Sequence, residues 1–347
     1  MIYSIQYLRG LAAILVLLSH SLFKIEQITG VSTEWFTIGS SGVDLFFIIS
    51  GFIMCHATEH KTTTPVAFFK NRIKRILPLY WTLTLLALAV FFIKPELINS
   101  SGGNTTLLHS FTLIPTGNKL LIQNGWTLSY EFLFYLIFAA SLITKSKKLI
   151  ATSCMLLGLI AIGLIQPSDA TLIKFITSPL LFEFFIGILC YLAMKNTNIK
   201  AAQACALIAS GVVALALVNN NGIIINRVIS YGLPYALIVI GMIGFERFFI
   251  QSKSNITSKI LRLTGDASYS LYLVHPFALA GIAFIVRKLH INLNHPLLLI
   301  VLFSSSYITG VLCYKLLEVP LTNLLHKKKP PTTNSQATNS VPSNISP

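Results

Sequence analysis

Charge is what this 347-residue chain has least of. Asp, Glu, Lys and Arg together make up 11% of it, against about 25% in a soluble globular domain. Hydrophobic residues reach 54% and the mean hydropathy is +0.73. So little charge cannot cover a water-facing surface, which excludes a large soluble enzyme, a disordered chain and a collagen-like one. Paired cysteines are also missing. Cys55, Cys154, Cys190, Cys205 and Cys313 stand alone in apolar stretches without CxxC spacing, so they are expected as small buried hydrophobes, with no disulfide or metal role. Acid is scarcer than base, 11 Asp and Glu against 26 Lys and Arg. In a soluble protein a net charge of +15 would point to nucleic acid. Here the basic residues fall between apolar runs, where they orient a membrane protein, and no nucleic-acid partner is expected.

Long apolar runs are what the chain does have. A bilayer core about 30 Å thick takes about 20 apolar residues per helix. Ten segments qualify: 5–23, 38–58, 76–94, 126–144, 148–165, 172–194, 201–218, 228–249, 268–288 and 297–319. The expected fold is all-α, a polytopic bundle of about ten transmembrane helices filling a membrane domain over 1–325. The first run carries Arg9 and His20 and no small-residue cleavage site, and is read as a retained span. With the N-terminus cytoplasmic, 19 of the 26 basic residues fall on the inner side, and an even number of spans returns the C-terminus to the cytoplasm. The remainder, 326–347, is mostly Pro, Thr, Ser and Asn beyond its lysines and is expected to be disordered. Within the longest connector, 95–125, the apolar stretch Leu107–Pro115 is expected to form a short re-entrant or interfacial segment. Asn219–Asn221, Gly222 and Pro234 blur the start of the eighth span. No internal repeat is visible, which counts against an inverted-repeat transporter.

Ionisable side chains inside spans are costly and mark functional positions. Arg9 and His20 share one stripe of the first span, about 16 Å apart along it, Arg9 towards the inner end and His20 towards the outer. Asp44 and Glu131 lie in the second and fourth spans, both expected roughly 8–9 Å from the outer face, level with His20. A histidine with a carboxylate partner makes a general base; the bland alternative is a polar clamp that only fixes packing. On the inner side, Lys70, Arg72, Lys74 and Arg75 precede the third span, with Tyr80 and Trp81 following. Arg72 and Arg75, three apart, present two guanidinium groups on one helical face, which suits a phosphate-bearing ligand; ordinary binding of anionic lipid is the alternative. Ser268, Tyr272 and His275 form one stripe of the ninth span, and Glu318 closes the tenth before Pro320. His56 and His60 are four apart without a third ligand, so no metal is expected.

Six ordered segments resemble the bacterial acyltransferase-3 membrane proteins, in particular the O-acetyltransferases of exopolysaccharide and lipopolysaccharide. They are YLRGLAAILVLLSH (7–20), GVDLFFIISGF (42–52), RIKRILPLYW (72–81), NGWTLSYEFLFY (124–135), ASYSLYLVHP (267–276) and LLEVP (316–320). The resemblance runs to about residue 325. It implies an enzyme of the bacterial cytoplasmic membrane that moves an acyl group, most often acetyl, from cytoplasmic acyl-CoA to a sugar hydroxyl of a surface glycan or its lipid-linked precursor, with no permanently bound cofactor. It also implies that Arg9 and His20 are an essential pair, that Arg72 and Arg75 bind the donor's phosphates, and that Glu131 belongs to the active site. Tyr80, Tyr272 and His275 complete the expected acyl-CoA site. His20 is expected as general base, oriented by Glu131 or Asp44, or as a covalent acyl relay, with Ser129, Tyr130 and Tyr135 as oxyanion donors. The competing classes are a proton-coupled transporter of a lipid-linked glycan or small anion, which the buried His, Asp and Glu also fit, and a non-catalytic partner in an envelope complex.

Overall fold

The computed structural model describes residues 2–33, 35–59, 61–95, 104–221, 226–291 and 293–326. His60 and the expected tail from Lys327 onward lie outside the described residues. The helices in chain order are α1 (Tyr3–Thr29), α2 (Gly42–Thr58), α3 (Pro65–Ile93), α4 (Leu107–Thr112), α5 (Gly125–Ser141), α6 (Lys148–Ile165), α7 (Thr171–Ile176) and α8 (Leu181–Asn196). They continue with α9 (Ala201–Asn221), α10 (Leu233–Gly244), α11 (Glu246–Gln251), α12 (Ile256–Asp266), α13 (Ser268–Lys288), α14 (His295–Cys313) and α15 (Val319–His326).

The ten apolar segments are mainly helical, although 172–194 is broken at residues 177–180 between α7 and α8. Among the described residues, eight helical elements are long and apolar enough to cross a membrane; one of them, 125–165, runs through both α5 and α6, and Val228–Gly244 is a shorter apolar helix. Lys145, at φ 48° and ψ −99°, breaks the run between α5 and α6. The chain is a polytopic all-α membrane protein.

The third helix begins eleven residues before its expected start. Thr64 accepts a hydrogen bond from the Ala67 amide and Pro65 occupies the first turn, the two strongest local signals for a helix N-terminus. The basic run 70–75 therefore rides on α3 itself. This fixes Arg72 and Arg75 on a rigid face instead of leaving them in a flexible connector.

The connector between α3 and α5 folds back to mid-helix depth. The Tyr80 hydroxyl donates to the Ser110 carbonyl at 2.7 Å, and Trp81 Nε1 donates to the Phe111 carbonyl at 3.0 Å. Both anchors lie near the middle of α3, so α4 sits at that level and α5 starts there, with Gly125 against the Tyr80 ring. Non-helical backbone at such depth survives only when its polar groups find protein partners. These bonds, with Leu121 N–H donating to Ser110 Oγ at 2.9 Å, provide them.

Packing between spans rests on close backbone approach, because lipid supplies no hydrophobic force between helices. A Cβ added to Gly51 of α2 would lie 2.2 Å from the Phe184 carbonyl oxygen of α8, and one on Gly187 would lie 2.1 Å from the Ile48 carbonyl oxygen. Beside this crossing, Phe184 packs on Phe134 and Phe47, with ring centroids 4.4 and 4.7 Å apart. Gly51→Ala should lower thermal stability in detergent by about 2 kcal/mol or more through overpacking. Gly158→Ala, where nothing lies within 4 Å of the added carbon, should be neutral or stabilising by up to about 1 kcal/mol.

Candidate active site

Two contiguous cavities run into the bundle and share Arg9, Ile53, Arg72 and Arg75 in their walls. The wider vestibule, about 1760 Å³ including its open mouth, lies at the N-terminal end of α1 and is bordered by Gln6, His56, Asn71, Asp266 and Glu318. The deeper chamber, about 820 Å³, continues between α1, α2, α3, α5 and α13. Arg9 from α1 and Arg72 and Arg75 from α3 stand at the junction. Among the described residues no carboxylate lies within 4.0 Å of any of them. Arg9 Nη1 donates to Gln6 Oε1 at 3.4 Å, and Gln6 Nε2 donates to Asp266 Oδ1 at 2.5 Å. Burial pushes the half-buried Asp266 carboxyl up from its ordinary range, against the opposing pull of Arg9 and Arg262. Arg72 lies over the rings of Phe68 and Tyr135, 5.6 and 5.9 Å from their centroids, with its Nε buried and unpartnered. Guanidinium groups stay charged even in a half-buried site, so three cations with no carboxylate in direct contact form an anion site.

Deeper in, Glu131 accepts hydrogen bonds from Ser50 Oγ at 2.8 Å and from the Tyr135 hydroxyl. Tyr269 and Tyr272 complete the wall. Proline at 276 has no N–H to donate to the carbonyl four residues back. That carbonyl, of Tyr272, accepts instead from Asn124 Nδ2 at 2.5 Å, while Thr127 Oγ1 donates to the Tyr272 hydroxyl at 2.9 Å. One proline thus ties the start of α5 to α13. One turn beyond Tyr272 come two histidines. His275 Nδ1–H donates to the Leu271 carbonyl at 3.0 Å and His20 Nδ1–H to the Val16 carbonyl at 2.9 Å. Their rings meet edge to face with centroids 4.8 Å apart. These bonds leave the Nε2 lone pair free on each neutral ring.

Several expected placements differ. Arg9, Arg72, Arg75, Glu131 and Tyr272 come together around the chamber. Glu131 is not beside His20, because the connector re-enters and lowers the start of α5, setting Glu131 among the arginines' cavity walls. Asp44 does not orient His20 either. It is fully buried in a two-bond ion pair with Arg227, its Oδ1 and Oδ2 accepting from Nε and Nη2 at 2.8 and 2.7 Å. Tyr80 does not line either cavity; its hydroxyl is spent on the re-entrant backbone. His275 lies beyond the chamber, against His20. Of the expected oxyanion donors, Tyr135 lines the chamber, Ser129 faces an apolar groove between α3 and α5, and Tyr130 packs on Phe175 with centroids 4.6 Å apart.

Glu183 was missed, although the rule that singled out Asp44 and Glu131 applies to it equally. It is fully buried in the first turn of α8, beside the Asp44–Arg227 pair. Arg227, at the blurred start of the eighth span, carried no local signal. Nor did Gln6 and Asp266, two ordinary polar residues that only the meeting of α1 and α12 joins.

A helical membrane bundle with an arginine trio facing a deep two-part cavity fits the frame of a membrane acyltransferase, and the chain belongs to the acyltransferase-3 family. The family's acyltransferase-domain model matches residues 2–315. The chain is 33% identical over 314 residues to the exopolysaccharide production protein ExoZ of Rhizobium meliloti, covering 86% of this chain and 94% of that protein. It is 22% identical to the peptidoglycan O-acetyltransferase OatA of Listeria monocytogenes, covering 92% of this chain and 55% of that protein. It is also 29% identical over 146 residues to the acyltransferase MdmB of Streptomyces mycarofaciens, covering 39% of this chain and 38% of that protein. No solved structure matches it.

Removing Arg227, whose side chain is 37% exposed, leaves the fully buried Asp44 charge unpaired. Arg227→Leu should therefore cost about 3 kcal/mol of stability in detergent. The double variant with Asp44→Leu should recover most of that loss in the same unfolding measurement.

Proposed function

We propose that this membrane acyltransferase takes acetyl from cytoplasmic acetyl-CoA and transfers it to a hydroxyl of a surface polysaccharide or its lipid-linked precursor, in the bacterial cytoplasmic membrane. The observation that carries the donor half is the trio Arg9, Arg72 and Arg75 at the junction of vestibule and chamber, with no carboxylate among the described residues in direct contact. Phosphates of the donor sit against these guanidiniums, and the pantetheine arm runs up the chamber past Glu131 and Tyr269. The excess of basic residues at this end supports a cytoplasmic vestibule, with ten spans and both termini inside. The acceptor half draws on the relatives, whose names concern exopolysaccharide production and peptidoglycan O-acetylation.

The chemistry follows from the histidine at the far end. His20 holds its Nδ1–H against the Val16 carbonyl, so Nε2 is the basic nitrogen. It takes the proton of the acceptor hydroxyl as that oxygen attacks the thioester carbon. The new O–C bond forms, the C–S bond breaks, and the proton passes from His20 to the departing thiolate, giving ester and free CoA thiol. The carbonyl of Val16, not a carboxylate, orients the ring. Glu131, held by Ser50 and Tyr135, shapes the chamber and balances the arginines.

Purified protein, labelled acetyl-CoA and an envelope glycan extract test the reading. Label should enter glycan with the wild type, and His20→Ala should lose at least about 100-fold in rate with its thermal midpoint unchanged. Full activity of a folded His20→Ala variant would sink the mechanism. Arg75→Ala should raise the donor KM about tenfold with kcat nearly intact, as loss of one phosphate contact requires; an unchanged donor titration would remove the phosphate assignment. Absence of both transfer and saturable acetyl-CoA binding would favour a transporter.

A further inference from the structure

His275 is 1% exposed, and its Nε2 finds no hydrogen-bond partner among the described residues. A buried acceptor left unpaired is costly to keep, and in a membrane core more so, since no bulk water is at hand. Nothing in the packing demands an imidazole here: the Nδ1–H bond to the Leu271 carbonyl satisfies one nitrogen and leaves the second idle. What the second nitrogen has beside it is the His20 ring, with centroids 4.8 Å apart and planes at 62°. That spacing leaves no room for another side chain or a water layer between the rings.

His20 lacks the partner a histidine base ordinarily has. Its Nδ1–H is held by a neutral carbonyl, Asp44 is locked to Arg227, and Glu131 is held in the chamber by Ser50 and Tyr135. The charged group acting on His20 is Lys24, one turn further out on α1, and it opposes a positive ring. On α13, Tyr272 stands one turn back from His275, its hydroxyl engaged by Thr127. The pair therefore meets with one basic nitrogen destined to gain a proton and one buried lone pair without a donor.

We propose that His275 is a positioning residue for His20: its Nε2 lone pair lies against the His20 ring and offsets the positive charge that ring carries once it has taken the proton of the acceptor hydroxyl. This steadies the imidazolium between arrival of the proton and its delivery to the departing thiolate, while the His20 Nε2–H stays aimed at the reacting atoms. The atoms balance as in the transfer itself, because His275 neither gains nor gives a proton. The inference rests on His20 acting as the base.

Gln and Asn at position 275 separate this role from packing. The amide of Gln reaches the place of Nε2, whereas that of Asn reaches only the place of Nδ1 and its bond to Leu271. In labelled acetyl-CoA assays with glycan acceptor, His275→Asn should lower kcat about 10- to 100-fold, the worth of one polar contact with a charged ring. His275→Gln should recover most of the rate, and the donor KM of both should stay within about twofold of wild type. If Asn at 275 prevents folding, His275→Leu against His275→Gln reads the same difference. Equal rates for Asn and Gln, or an effect confined to KM, would overturn the proposal. His20→Ala run alongside separates the failures. If that variant keeps its rate, the base reading falls; if it is dead while Asn and Gln at 275 behave alike, only the role of His275 falls.

Discussion

A peptide group inside hydrocarbon must find a partner within the protein, since none comes from the surroundings and each failure costs several kcal/mol. The connector between α3 and α5 is where this chain meets that demand least conventionally. Tyr80 and Trp81 hold the carbonyls of Ser110 and Phe111, and Asn124 holds the carbonyl that Pro276 releases on α13. Because these bonds are satisfied, α5 begins at mid-helix depth. Because α5 begins there, Glu131, Thr127 and Tyr135 face the cavity that the arginines close from below. The site is assembled by backbone satisfaction before any catalytic side chain is considered.

The cavity has a polar gradient. Its open end carries Arg9, Arg72 and Arg75 with no carboxylate in direct contact among the described residues, and its walls turn apolar and aromatic above them. In the proposed reaction an anionic head sits at the mouth, where water still competes, and a long uncharged arm lies further in. Beyond Tyr272 the cationic groups give way to two neutral rings in contact. A separate acidic group, Asp44 and Glu183 with Arg227, sits between α2, α8 and the segment leading into α10. There a charge pair fixes how those helices meet.

The all-α membrane fold was legible because hydropathy is a local property, and the apolar segments are mainly helical in the structure. The re-entrant stretch was legible for the same reason, its apolar residues sitting in an otherwise polar connector. The start of α3 was misjudged because hydropathy outweighed the stronger local signal, the Thr64–Pro65 cap. The pairing of Arg72 with Arg75 was readable from helical spacing, and the Arg9–His20 stripe likewise. The neighbours of His20 were not readable. Counting residues into a span gives depth along an axis, and it says nothing of which way around the bundle a side chain faces. For Glu131 even the depth failed, because the fourth span was counted from the outer face although the connector before it folds inward.

What the sequence by itself determined is the material: apolar helices, clusters of basic residues between them, a few ionisable groups too costly to be accidental, and six segments that carry the family resemblance. What only the tertiary structure decided is pairing. Asp44 found Arg227, Glu131 found Ser50 and Tyr135, and His20 found His275. Helix propensity and hydropathy act over a few residues, whereas partners are chosen by how helices rotate and cross. Those rotations are set by contacts such as Gly51 against Phe184, more than a hundred residues apart in the chain, and no local pattern encodes them.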